Sequence, residues 1–349
     1  MGWIIAAVVG AILLGFELWL RIAFGYAARS VYSGVPELRP RTVDQPTEAI
    51  RETVRTADGV DLAGYLWPPQ AQQPIVVFGP ESGASGETAA FYAAPLLEAG
   101  YGVFAIDFRG TGRSGNREGY VPHHWVTDHE VADMRAAFDA AIAHASTASD
   151  GQASAASPTV GLLGVSKGAA AGLLAAREYP EVVAAVAVSA FDTHDVARTF
   201  GLKWAFRVLP RWVDAILPRW HIAQTIRLGG AWEAWARSVS YPSLRRSLRA
   251  TRGRQLLFVS GLRDSYVPPP LAERLVDAAA RGNAVDAWFV PKAKHNRARD
   301  TEPDDYDRRL TTFFDAALDG RNRSERTTAS TAMQSDRSSD ESVASVTSG

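Results

Sequence analysis

Residues 159–176 read TVGLLGVSKGAAAGLLAA, and this stretch decides the fold. Thr159 to Val165 is an aliphatic run without polar alternation, the pattern of a strand covered on both faces. It breaks at Gly164-Val165-Ser166-Lys167-Gly168, after which Lys167 to Glu178 carries the alanine and leucine content of a helix. A strand turning sharply into a helix through G-x-S-x-G holds its serine in a strained conformation, hydroxyl exposed at the carboxyl edge of the sheet. Small flanking residues let that turn close, and the helix N-terminus beneath it favours negative charge. The pentapeptide alone is common by chance, and its plainest reading is a serine capping a helix. The strand before it and the helix after it give it weight.

Outward from this unit, strands and helices alternate. Arg51 to Thr56 and Val60 to Leu66 flank the turn Asp58-Gly59 as a hairpin, and Pro74 to Gly79 (PIVVFG) reads as a buried strand. A helix is expected from Gly86 to Glu98, a strand over Val103 to Asp107, a helix over Asp128 to His144 and a strand over Val182 to Ser189. Strand Gln255 to Ser260 with helix Leu271 to Ala280, and strand Val285 to Val290 with helix Asp304 to Ala317, close the pattern. The expected class is α/β: a mainly parallel sheet covered on both faces, with the hairpin as an antiparallel edge and ligands at the carboxyl ends of the strands. Residues 147–158 read as a solvated loop, and residues 190–253 interrupt the alternation as an inserted helical lid.

The chain has 349 residues, 46% of them hydrophobic, which suits one large domain with appendages. The 37 basic and 38 acidic side chains nearly balance, which excludes a nucleic-acid binder acting through bulk charge. The absence of cysteine excludes disulfide frameworks, thiol nucleophiles and cysteine metal sites. Charge is nonetheless uneven. Gly201 to Arg254 holds eleven Lys or Arg against two acids, and the lid carries Trp204, Trp212, Trp220, Trp232 and Trp235. Those residues read either as packing beneath a solvated face or as a surface that lies on anionic lipid headgroups.

Every residue from Trp3 to Phe16 is apolar or glycine, and after Glu17 the pattern resumes to Tyr26. Glu17 and Arg21 stand four apart, acid first, so the pair can partly neutralise itself within a helix. At about 1.5 Å per residue, Trp3 to Tyr26 covers roughly 34 Å, enough to span a bilayer core. Arg21, Arg29, Arg39 and Arg41 follow the segment, which places the body on the cytoplasmic side of a single-pass anchor. A cleaved signal peptide or a packed amphipathic helix is the alternative. The expected organisation is an anchor over 1–28, a linker over 29–50, a catalytic domain over 51–319 and a disordered Ser/Thr-rich tail over 320–349.

A serine hydroxyl needs a base, and in this fold order the base follows an acid late in the chain. His295 sits directly after the final strand in PKAKHN, whereas the other six histidines precede the last two strand units. Asp264, just past the preceding strand in GLRDSYVP, is the expected orienting acid, with Asp192 and Asp195 as competitors. Backbone amides should receive an oxyanion: that of Lys167 first, and that of Glu81 second because Pro80 has no N–H, with Ser82 in reserve. Gly110 to Gly115 satisfies G-x-G-x-x-G, but no helix opens after it, so a dinucleotide site is set aside. His123, His124, Asp128 and His129 straddle a helix start and are not read as a metal site.

The ordered set PIVVFG, AIDFRGTGRSG, GVSKGA, GLRDSYVP and AKHN resembles the α/β-hydrolase fold family over about residues 50–319, particularly its serine aminopeptidase-like (S33-type) esterase and lipase branch. The elbow LLGVSKGA is also similar to that of acyl-CoA thioesterase and bile-acid acyltransferase proteins. The resemblance implies Ser166 as nucleophile, Asp264 as acid and His295 as base, with Asp107 and Arg109 as structural members of a D-x-R-G-x-G-x-S segment. Where the family usually carries His-Gly after the third strand, this chain has Gly79-Pro80. The expected activity is hydrolysis of a small-molecule or lipid ester or thioester without a cofactor or metal, with membrane lipids as the partner; oligomeric state is not constrained. Acyl transfer, aminopeptidase action and a non-catalytic tethered scaffold are the alternatives.

Overall fold

The computed structural model describes residues 1–34, 39–43, 48–70, 73–149, 158–208 and 218–319. The tail from residue 320, most of the loop read over 147–158, and Trp212 lie outside these. Eight strands form one sheet: β1 (Ile50–Arg55), β2 (Asp61–Trp67), β3 (Ile75–Gly79), β4 (Gly102–Ile106), β5 (Val160–Val165), β6 (Val182–Val188), β7 (Gln255–Gly261) and β8 (Ala284–Val290). Their order is β1-β2-β4-β3-β5-β6-β7-β8. β2 runs antiparallel to both β1 and β4, and every other pair is parallel. The hairpin register closes at Arg55↔Asp61 around Gly59, whose φ of +85° suits glycine.

The main helices are α1 (Gly2–Ser33), α2 (Asp128–Ser149), α3 (Lys167–Ala176), α4 (Thr193–Val208), α5 (Arg219–Arg237), α6 (Leu244–Ala250), α7 (Pro269–Ala279) and α8 (Pro303–Phe314). Successive side chains of a strand face opposite ways, so two cores form. Val77, Leu162 and Phe258 meet Met134 and Phe138 of α2, Leu173 of α3 and Leu275 of α7 in one. Val76, Leu163 and Val259 meet Tyr92, Leu96, Leu310 and Phe314 in the other. The helix expected over residues 86–98 is instead broken into a 3-10 turn and two short helices, Ala89–Tyr92 and Ala94–Glu98. Pro95 stands in the first turn of the second, a place where its missing N–H is not needed.

The segment around Asp107 is a structural knot. Its carboxylate accepts from Tyr65 Oη, Ser85 Oγ and the amides of Gly86 and Arg113, at 2.6 to 2.9 Å. A Cβ on Gly112 would fall 2.0 Å from that carboxylate, so the glycines of Gly110 to Gly115 wrap the loop around Asp107. Arg109, fully buried, donates to Asp133 and to Asp58 in the hairpin turn. Its hydrogen bonds hold the Asp58 carboxyl well below the usual carboxylate range.

α1 is long and apolar enough to cross a membrane, with a mean hydropathy of 2.2 over a window only 6% buried. Its two halves differ. From Trp3 to Phe16 the large apolar side chains are exposed, Trp3 at 91% and Leu14 at 72%. From Glu17 onward the helix lies parallel along α5. Glu17 and Arg21 pair at 2.7 Å, as their spacing implied, but Glu17 also meets His221 at 2.8 Å and Arg21 donates to Gln224 at 2.8 Å. Farther along, Arg29 pairs with Glu233, and a Cβ on Gly230 would fall 2.4 Å from the Tyr32 ring. Tyr32 is 1% exposed, and its carbonyl accepts from Trp125 Nε1 at 3.1 Å. The helix therefore runs past Tyr26 to Ser33, into the segment read as a linker, and ends within the fold.

Candidate active site

The site grows from the turn between β5 and α3. Gly79 and Gly164 are register partners on β3 and β5, and a Cβ on Gly168 would fall 2.1 Å from the carbonyl carbon of Gly79. Only backbone fits there, so α3 can start directly against the sheet. Ser166 sits between them at φ +51°, ψ −109°, a conformation that a non-glycine residue holds only where its surroundings compel it. Its amide donates to Val188 O at 2.7 Å, which fastens the turn to β6.

Ser166 Oγ lies 2.9 Å from His295 Nε2, and His295 Nδ1 lies 2.7 Å from Asp264 Oδ2. With Nδ1–H donating to Asp264, Nε2 is left as the acceptor for the serine hydroxyl. Asp264 is held from behind, because its Oδ1 accepts from the amides of Tyr266 and Val267, both at 2.8 Å. The competing acids are occupied elsewhere. Asp192 accepts from the amides of His194 and Arg245 and from Ser243 Oγ, joining the start of α4 to that of α6. Asp195 pairs with Arg245 at 2.9 Å, and burial, then the neighbouring Asp192, push its carboxyl upward.

Lys167 opens α3 and Glu81 follows Pro80 beyond β3. Among the described residues neither amide donates to a backbone carbonyl, and Glu81 and Ser82 share a cavity with Ser166. The two side chains do work that the sequence did not disclose. Glu81 accepts from the Arg41 amide at 3.0 Å and Tyr92 Oη at 3.2 Å on one oxygen, and from Asn296 Nδ2 at 2.6 Å on the other. It thus ties the loop after β3 to Asn296, the residue after His295, which stands at φ +58°. Lys167 Nζ is buried and donates to Glu130 Oε1 at 2.7 Å and His123 O at 2.8 Å. Burial alone would raise the Glu130 carboxyl. The Lys167 charge and bonds from Lys167, Thr127 and Tyr120 outweigh it and hold the carboxyl at about 2.

The cavity has a volume of about 1140 Å³ and a mostly apolar wall. His124 faces into it, and burial, assisted by His123 and Lys167, pushes this imidazole down to about 3, so it is neutral. His123 is pushed down to about 4 by burial and then by Lys167, and His129 lies 3.3 Å from Arg109. His123 packs against the Tyr120 and Tyr241 rings and His124 against Trp125, and of the three only His129 has a ring hydrogen bond among the described residues. Five residues of α1, namely Phe24, Ala27, Ala28, Ser30 and Val31, also line the cavity, and the Ser30 hydroxyl is taken up by the Ala27 carbonyl.

A parallel sheet with a strained serine at the β5 turn and helices on both faces defines an α/β hydrolase. The profile described as serine aminopeptidase, S33, matches residues 75–257, just over half of the chain, and the chain belongs to that family. An esterase of Pyrococcus furiosus superposes with a TM-score of 0.55 at 20% identity, covering 82% of this chain and 99% of the other. DcsB, solved with a substrate analogue, also gives 0.55, at 14% identity, covering 78% and 99%. At such identities the likeness is one of fold. No curated protein matches the sequence.

Proposed function

We propose that this chain is a membrane-anchored serine hydrolase cleaving a carboxylic ester or thioester through an acyl-enzyme. The observation that carries the reading is the chain of contacts from Ser166 Oγ to His295 Nε2 at 2.9 Å and from His295 Nδ1 to Asp264 Oδ2 at 2.7 Å. In the first half-reaction Ser166 Oγ attacks the carbonyl carbon as its proton passes to His295 Nε2. Asp264 stabilises the imidazolium and fixes its orientation. The amides of Lys167 and Glu81 receive the oxyanion, a term worth about 10²–10³ in rate per donor. His295 returns the proton to the departing oxygen or sulfur, leaving Ser166 acylated. Water, deprotonated by the same imidazole, then releases the acid and restores the serine.

An ester is favoured over a peptide N-terminus by charge. Glu81 is the carboxylate on the cavity wall, and both its oxygens are already engaged. Arg39, Lys203, Lys294 and Arg297 also line the cavity, an unsuitable setting for a free amine. The exposed apolar half of α1, Trp3 to Phe16, supports retention in a bilayer, and the basic residues after it favour a cytoplasmic body. A leader cleaved after α1 would remove one wall of the cavity, which argues against a signal peptide. Labelling by a fluorophosphonate, compared between the native chain and Ser166→Ala, tests the chemistry. Label on the native chain alone is expected; equal, negligible label on both would refute the hydrolytic reading.

A further inference from the structure

We propose that the second half of α1 is the acyl-binding wall of the active site, and that the substrate is an ester or thioester of a long acyl chain drawn from the bilayer. The proposal rests on the hydrolytic reading and extends it to a substrate class. Phe24, Ala27, Ala28 and Val31 of α1 face the same cavity as Phe200 of α4 and Ile222 and Ile226 of α5. Ser166 and His295 open onto that cavity. Its volume, about 1140 Å³, exceeds the roughly 300–1,000 Å³ of ordinary small-molecule sites.

The distribution of polar groups sets the direction of the substrate. His221 and Thr225, the polar members of the α5 wall, are satisfied by Glu17 and by the His221 carbonyl, respectively. The α1 segment from Phe24 to Val31 offers the cavity no charged side chain. Lys294 and Arg297, which flank His295 in sequence, line the cavity together with Ser82 and Asn296. A substrate therefore finds hydrogen-bonding groups around Ser166 and, apart from the single charge of Lys203 on α4, a largely apolar wall between α1 and the lid. Each methylene buried there is worth about fourfold in binding, which makes acyl length the quantity to which this site is most sensitive.

Access follows from the other half of the same helix. Trp3 to Phe16 is exposed and apolar, and Ile22 and Tyr26 remain exposed at 60% and 68% on the helix that walls the cavity. With that face in lipid, the cavity opens at the boundary of the acyl region, where the span ends near Tyr26. The substrate then slides along α1 rather than crossing water.

Two measurements test this on the full-length chain in lipid nanodiscs. The first compares kcat/KM for palmitoyl and butyryl p-nitrophenyl esters in the native chain, in Ala27→Trp and in Phe24→Ala. The palmitoyl-to-butyryl ratio should fall about tenfold or more in Ala27→Trp, as wall substitutions in an apolar pocket do, and should shift in Phe24→Ala; a ratio unchanged in both overturns the proposal. The second uses palmitic acid bearing a terminal diazirine, photo-crosslinked to the Ser166→Ala chain. Adducts within residues 24–31 support the wall, and adducts confined to residues 3–22 overturn it. If the native chain cleaves no ester at all, the hydrolytic reading fails, and the crosslinking result still decides whether α1 lines an acyl site.

Discussion

Three carboxylates, Asp192, Asp195 and Asp264, follow the strands that end near the elbow, and their hydrogen bonds assign them different work. Asp264 alone among them touches His295, so Asp264→Asn should lower kcat by about 10³–10⁴ through loss of the correct tautomer. Asp192→Ala should leave kcat within a few-fold and lower stability by about 1 kcal/mol, as a lost cap does; steady-state kinetics with thermal melts separates the two. The Glu130 carboxyl is held at about 2 against an ordinary 4.5, so its contribution to stability is complete above pH 4.5 and is lost as the pH falls toward 2. The Tm difference between the native chain and Glu130→Gln should therefore be largest near neutrality and shrink steadily in acid. At this scale the three residues that meet were legible, because their order along the chain follows the order of strands. The clasp of Lys167 on Glu130 was not, because no periodicity relates positions so far apart. Nor was the side chain of Glu81, whose backbone alone entered the sequence argument.

At the scale of elements, the inner strands β3 to β6 were readable from aliphatic runs because both their faces are covered, and the edge strand β1 from the turn at Asp58-Gly59. The passage over residues 86–98 defeated the same reasoning, since alanine content promised a continuous helix while Pro95 and the bonds to Asp107 favoured short turns. The elbow tolerates no side chain where α3 meets β3. Gly168→Ala should destabilise the fold by about 1–3 kcal/mol, and it should depress fluorophosphonate labelling by displacing Ser166. An equal Tm and equal labelling would contradict this account of the turn. Gly230 has the corresponding place between α5 and Tyr32, a contact that neither helix announces by itself.

At the scale of the whole molecule, the sequence disclosed an apolar leader and a basic, tryptophan-rich insert but not that the two are packed together. Trp220 and Trp235 remain 64% and 77% exposed on α5, the helix along which α1 lies. Removing residues 2–16 should leave the α1–lid contacts in place and lower binding to neutral phosphatidylcholine vesicles sharply, while vesicles containing phosphatidylserine retain part of it through the lid arginines. Co-sedimentation with the two vesicle types reads this directly. Loss of all binding to both would show that the lid contributes nothing of its own.

The pairing of α1 with α5 also constrains how such a protein can change over generations. A leader that only tethers is replaceable by any hydrophobic segment of suitable length, but this one shares Gly229, Gly230 and the Glu17–His221 contact with its neighbour. Positions 17–32 and 221–233 should therefore drift in concert among descendants, bulk on one side answered by its loss on the other, while Trp3 to Phe16 wanders freely within the limits of greasiness.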